Sequence, residues 1–173
     1  INIKRGGSAM VSWSIFESNY ASSAGRGGAI FSSGDIQVTD TLFRLNKVYK
    51  NSQFSGSARG GAIVNQGSAR ILRCTFDSNS ADGTYWARPN GGAIFNAGNL
   101  EVYNSRFVGN EVSDRTQAEG GAISSESSSV TILFNNTFLH NKKGPQLQDL
   151  FGYFATKEVN TANLAKKYKQ SPL

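Results

Sequence analysis

The sequence has a single cysteine, Cys74, and a single histidine, His140. One cysteine excludes an internal disulfide and any cysteine-based zinc cluster, and it is compatible with either redox compartment. One histidine excludes a multi-histidine metal centre and leaves few groups for acid–base chemistry near neutral pH. Proline is scarce, with 3 among 173 residues, and no run of 18 apolar residues occurs. A membrane-crossing helix is therefore not expected. The chain lacks an initiating Met and a signal-peptide pattern. A processed product is expected, or a fragment entering partway through a repeat, placed in a plastid or at a cell surface.

Charge of one sign is also missing from most of the chain. The net charge is +6, but residues 1–141 hold twelve Lys or Arg against ten Asp or Glu. Residues 142–173 hold six Lys against two acids. The body is nearly balanced and the basic excess sits in the tail, without the Lys/Arg stripe that nucleic-acid binding requires.

What the chain does have is a repeat. GGAI stands at 27–30, 60–63, 91–94 and 120–123. Gly7, Gly34, Gly67 and Gly98 each precede a Phe by nine residues, as Ser129 does in the last unit: Phe16, Phe43, Phe76, Phe107 and Phe138. Three residues after every Phe comes Asn: Asn19, Asn46, Asn79, Asn110 and Asn141. Between Gly and Phe, apolar positions (Val11, Val38, Ile71, Val102, Leu133) and small or polar ones (Ser14, Thr41, Cys74, Ser105, Asn136) alternate with charged or polar positions such as Gln37, Arg70 and Glu101. Alternation with period two marks strands with one buried face.

The stretch from GGAI to Asn is nearly constant in length, whereas the stretch from Asn to the next Gly pair varies. Equal coils with one elastic corner are the requirement of a β-solenoid. The reading is all-β: a parallel β-helix, right-handed, of about five coils over residues 1–141, followed by a basic, partly helical extension over 142–173. Paired glycines supply a tight corner. Ile30, Ile63, Ile94 and Ile123 stack as a row, with Ala29 and its equivalents as the alternative inward residues. The five Phe form an aromatic row and the five Asn an amide ladder that satisfies polar groups at a buried bend.

GGAI paired with Phe-x-x-Asn, running through residues 7–141, resembles the repeats of the chlamydial polymorphic outer membrane proteins. More broadly it is similar to the pectate-lyase-like right-handed parallel β-helices. The resemblance implies a surface adhesin passenger held by a C-terminal β-barrel. This chain ends at Leu173 without the alternating ten-residue strands of such a barrel.

In the tail, Leu147, Leu150, Phe151 and Phe154 fall at helical spacing after Pro145, which predicts a helix that caps the last coil. A second helix is expected over residues 160–169. Lys166, Lys167 and Lys169 then offer charge to an acidic partner.

Catalysis is not expected. A glycoside hydrolase needs two gathered carboxylates, yet Asp40 is followed in its column by Arg73 and Asn104, and Asp35 by Ser68 and Asn99. A calcium-dependent lyase meets the same objection. No catalytic residue, metal or cofactor is assigned. Cys74 reads as a buried packing residue and His140 as a surface residue. Asn135-Asn136-Thr137 fits a glycosylation sequon. With Asn136 in an inward column, the site is expected to lie within a strand and go unused.

The variable loops carry exposed aromatics and cations, Tyr49, Lys50 and Phe54 in one and Tyr85, Trp86 and Arg88 in another. Such residues suit protein interfaces. Together with Phe151, Phe154 and the tail lysines they form the expected partner-binding set. The leading functional expectation is a non-catalytic scaffold, linker or stabilising subunit that binds acidic protein surfaces in a larger assembly, an algal light-harvesting antenna being one example. An adhesin fragment is the alternative and a polysaccharide lyase or hydrolase the third.

Overall fold

A computed structural model of the chain describes residues 1–22, 26–50, 57–83, 88–113, 118–154 and 166–170; for 147, 151–154 and 166–170 it describes the backbone. The described residues form a parallel β-solenoid with no helix. One coil shows the plan. Ile30–Ser32, Asp35–Thr39, Leu42–Arg44 and Lys47–Lys50 are four short strands separated by corners. Each strand pairs in parallel with its counterpart one coil on, so the four positions build four sheets. The second and third sheets have five rungs each, which makes four complete turns from first to last.

The corners explain the sequence columns. Trp13, Asp40, Arg73, Asn104 and Asn135 all have φ of 49–51°, and they form the corner between the second and third sheets. Ser18, Leu45, Ser78, Gly109 and His140 have φ of 53–61° and form the next corner, just before the ladder asparagines. Left-handed backbone is unfavourable for Trp or Leu, so the coil closure imposes it. In each GGAI the first glycine has φ of 61–70°. The second is required by a neighbour: a Cβ on Gly92 would lie 2.0 Å from the carbonyl oxygen of Gly121.

The core lies between the first three sheets. Ile30, Ile63, Ile94 and Ile123 are buried, and so are Ala29, Ala62, Ala93 and Ala122, so both rows turn away from water. The Phe rings stack face to face at 4.9, 4.8, 4.7 and 4.9 Å, within 8° of parallel. That spacing is the rung spacing of a sheet. A second, smaller core of Val48, Ala81 and Val112 with Ala58 and Ala118 fills the space behind the fourth sheet.

The Asn ladder runs the length of the body. Nδ2 of Asn19, Asn46, Asn79 and Asn110 donates to Oδ1 of the next Asn at 2.8, 2.9, 2.9 and 2.8 Å. That Oδ1 also accepts the backbone N–H of the preceding Asn, while Nδ2 donates to the carbonyl oxygen of the preceding coil's Phe. Each amide thus satisfies a donor and an acceptor that the corner turns inward, away from water. A second stack, not recognised from the sequence, joins Asn65 to Asn96 at 2.8 Å and Asn96 to Thr131 at 2.8 Å.

The tail departs from the expected helix. Gln146–Leu147 is an antiparallel strand against Lys142–Lys143, and Leu150–Phe154 is a sixth first-sheet strand with Leu150 in register with Ile123. Lys166–Gln170 adds a further strand beside it; the first part of the second expected helix, 160–165, lies outside the described residues. The edge of the last coil offers unpaired N–H and C=O groups along a whole strand, and backbone pairing there outweighs a four-residue apolar periodicity. Gln148 and Asp149 replace the glycine and alanine of the repeat. Gln148 Oε1 accepts the Gly120 N–H at 3.0 Å, and Asp149 Oδ1 accepts from Asn141 Nδ2 at 2.9 Å, ending the ladder on a carboxylate.

Candidate functional site

With the inward columns occupied by packing, function is left to the outward ones. On the third sheet these are Ile15, Leu42, Thr75, Arg106 and Thr137, and, two residues on, Glu17, Arg44, Asp77, Val108 and Leu139. In the first of these columns the first two rungs, Ile15 and Leu42, are apolar where later rungs are polar. Trp13 is 82% exposed, Ile15 68% and Leu45 50%, and half-buried Leu42 sits beside Ile15. Trp13 stands at the corner before the first-coil strand Ile15–Glu17, and Leu45 at the corner after the second-coil strand Leu42–Arg44. An ion pair, Arg44 Nη2 to Glu17 Oε1 at 2.6 Å, lies among them. Exposed Met10 and Tyr20 flank this face on the same coil. Single exposed apolar residues need no explanation, whereas a cluster of them is a candidate contact surface.

The charged outward columns form ion pairs between coils. Arg73 grips Asp40 with two hydrogen bonds, Nε–Oδ1 at 2.7 Å and Nη2–Oδ2 at 2.6 Å, and these hold the Asp40 carboxyl below its usual range. Lys47 pairs with Asp82 at 2.5 Å and Arg70 approaches Glu101 at 3.8 Å. Glu119 moves the other way: partial burial raises its pKa, against the pull of Lys143 and Arg88. Among the described residues no group of three His, Cys, Asp or Glu could hold a metal ion.

The family model of the Chlamydia polymorphic membrane protein repeat matches residues 14–33 and 73–97. Each matched segment runs from a Phe-x-x-Asn corner to the next GGAI, and in the structure each spans one stacked Phe, one ladder Asn and one glycine corner. The two matched segments are polymorphic-membrane-protein-type repeats, and both lie within the parallel β-solenoid. No curated protein sequence and no solved structure matches it.

Within these coils, the residues expected to bind a partner are scattered. Tyr49 and Lys50 lie half-buried at the end of a fourth-sheet strand, in register with Asp82 and Gly83. Lys50 lines an open groove of about 820 Å³ beside the first coil, together with Arg26 and Arg59. Arg88 is exposed. Phe54, Tyr85 and Trp86 lie outside the described residues. Phe151, Phe154, Lys166, Lys167 and Lys169 belong to paired first-sheet strands rather than to helices.

The apolar face of Trp13, Ile15, Leu42 and Leu45 was not anticipated. Its signal was available in the columns: Trp stands where later coils have Asp, Arg and Asn, and Leu45 where they have Ser, Gly and His. Cys74 is buried, 1% exposed, and burial pushes its thiol pKa up, so it is a packing residue. Ser105 Oγ accepts its N–H at 3.0 Å, continuing an inward row of small polar side chains. His140 is exposed at a left-handed corner. The sequon requires a correction, because its acceptor is Asn135 and not Asn136. Asn135 is exposed, with φ of 50°, at a corner between Val130–Phe134 and Thr137–Leu139, not within a strand.

Proposed function

We propose that the chain is a non-catalytic, adhesin-like binding solenoid that works at a cell surface and contacts a protein partner through the outward face of its first two coils. The observation that carries this reading is the cluster of Trp13, Ile15, Leu42 and Leu45 on otherwise polar outward columns, with Arg44 among them. Aromatic, aliphatic and Arg side chains on a rigid sheet are the composition of an interface centre. The surface setting comes from the repeat family, whose name describes membrane proteins. Coils held in register by ladders lose little entropy on binding, which favours a rigid docking face.

A scaffold role inside a larger assembly, such as an antenna complex, is a second reading favoured by the excess of lysine over acid in residues 142–173. The two readings predict different sensitive residues. Fluorescently labelled chain is added to cultured epithelial cells and bound fluorescence is measured over a concentration series. The adhesin-like reading expects Trp13→Ser with Leu45→Ser to abolish saturable binding and Lys166→Gln, Lys167→Gln and Lys169→Gln together to leave it intact. Retained binding in the first variant overturns the assignment of the face. Loss confined to the lysine variant favours the scaffold's acidic partner.

A further inference from the structure

We propose that Asn135 is an acceptor for a single N-linked glycan. The motif Asn135-Asn136-Thr137 is the one place in the chain where Asn is followed two residues later by Ser or Thr. The coil geometry decides what each of its residues can do. Asn136 is buried and fully engaged: its Oδ1 accepts from the Ser105 N–H at 2.8 Å and its Nδ2 donates to the Val102 carbonyl at 2.8 Å. Asn135, one residue earlier, points the other way and is exposed. It stands in the corner column of Trp13, Asp40, Arg73 and Asn104, which the fold reserves for outward side chains.

Two features open this corner to solvent. Among the described residues the second and third sheets both end at the rung that contains it, as they do at the opposite end beside Trp13. Phe134, the residue just before it, is 43% exposed. Phe134 thus offers an apolar ring next to the position of a first sugar.

The chemistry is compatible with the hydrogen bond already present. Transfer joins Nδ2 to the anomeric carbon of an oligosaccharide carried on a lipid pyrophosphate. The bond from that carbon to the pyrophosphate oxygen breaks, the lipid pyrophosphate leaves with the electron pair, and Nδ2 gives up one proton and keeps the other. The retained N–H can still donate to Asn104 Oδ1, which it now meets at 2.7 Å. A glycan here therefore demands neither a buried group nor a rearranged coil. The inference rests on the surface reading, because the transfer occurs on chains that enter a secretory compartment.

The test is to secrete the full 173-residue chain from a eukaryotic cell line and measure its intact mass before and after peptide-N-glycosidase. One oligosaccharide is expected, removed by the enzyme with Asn135 converted to Asp in the mapped peptide. It should be absent from both Asn135→Gln and Thr137→Val, the second variant guarding against a folding defect in the first. The glycoform should melt cooperatively at the same temperature as the enzyme-treated chain. A folded, secreted chain with no glycan overturns the proposal, as does a glycoform that fails to melt cooperatively. Mass reads occupancy independently of cell binding, so failure of the binding face and failure of this site are separate results.

Discussion

The first and last coils are made of the same columns yet meet different surroundings. In the last, Leu133, Phe138 and Asn141 are 1%, 0% and 0% exposed. In the first, Val11 and Phe16 are half-buried and Asn19 is exposed. Asp149 accepts the last ladder amide, whereas the Asn19 amide only donates onward, to Asn46. The residue types alone do not set a column's worth. Most of it comes from the rungs on either side, as expected for a structure whose stability is a sum of neighbour terms.

The glycine column should break this comparison most sharply. A Cβ on Gly98 would lie 2.1 Å from the Gly67 carbonyl oxygen, backbone against backbone, and the same atom on Gly7 would meet nothing closer than the Lys4 carbonyl at 3.1 Å. Gly98→Ala is expected to cost upwards of about 4 kcal/mol or prevent folding. Gly7→Ala should stay within about 1 kcal/mol, helped by a less flexible unfolded chain. Urea unfolding followed by circular dichroism measures both.

Phe is next. Phe107 is sandwiched between Phe76 and Phe138, at 4.7 and 4.9 Å, while Phe16 has one stacked neighbour, Phe43. Phe107→Ala should cost about 3–5 kcal/mol and Phe16→Ala only about 1–2 kcal/mol, in line with partial burial. Equal losses would mean that the first coil is covered in solution.

These columns were legible because the solenoid repeats one environment along its axis. Phe-x-x-Asn recurs since every coil turns the same N–H and the same carbonyl inward at that corner. The second stack, Asn65 to Asn96, was harder to see because Ser32 and Ser125 occupy its other rungs. The tail was misread for a physical reason. Leu147, Leu150, Phe151 and Phe154 fit a helical face, but Leu150–Phe154 is also a short apolar run, and periodicity alone does not separate the two. The open edge of Ile123–Ser125 decided it. The apolar face escaped because attention to inward columns passes over what an outward column does in one coil alone.

The ladder's two ends give a third test. Asp149→Ala removes one of the two acceptors of the buried Asn141 Nδ2, leaving the Phe107 carbonyl, and should cost about 1–3 kcal/mol. Asn19→Ala, at the exposed end, should cost less than about 1 kcal/mol. Hydrogen exchange on the Asn110 and Asn141 amides should quicken in the first variant and be unaffected in the second.

The smallest effect concerns the bridge column before the Gly pairs, where Arg26 is exposed at one end and Glu119 half-buried at the other. Burial raises the Glu119 pKa from 4.5, with Lys143 and Arg88 opposing. The folded protein therefore holds a proton that the unfolded chain has already released, so Glu119 favours the fold at low pH and this contribution is lost as pH rises through its folded value. Asp40 has the opposite sign: its pKa is lowered from 3.8, so its contribution is present above that value and lost as pH falls through the folded one. Glu119→Gln should consequently raise stability more at pH 7 than at pH 4, by a few tenths of a kcal/mol after solvent screening. Arg26→Gln, at the exposed end of the same column, should show no such pH dependence. Paired urea titrations at the two pH values read the difference. A gain for Glu119→Gln that is larger at pH 4 would mean that its cationic neighbours, and not burial, govern that carboxylate.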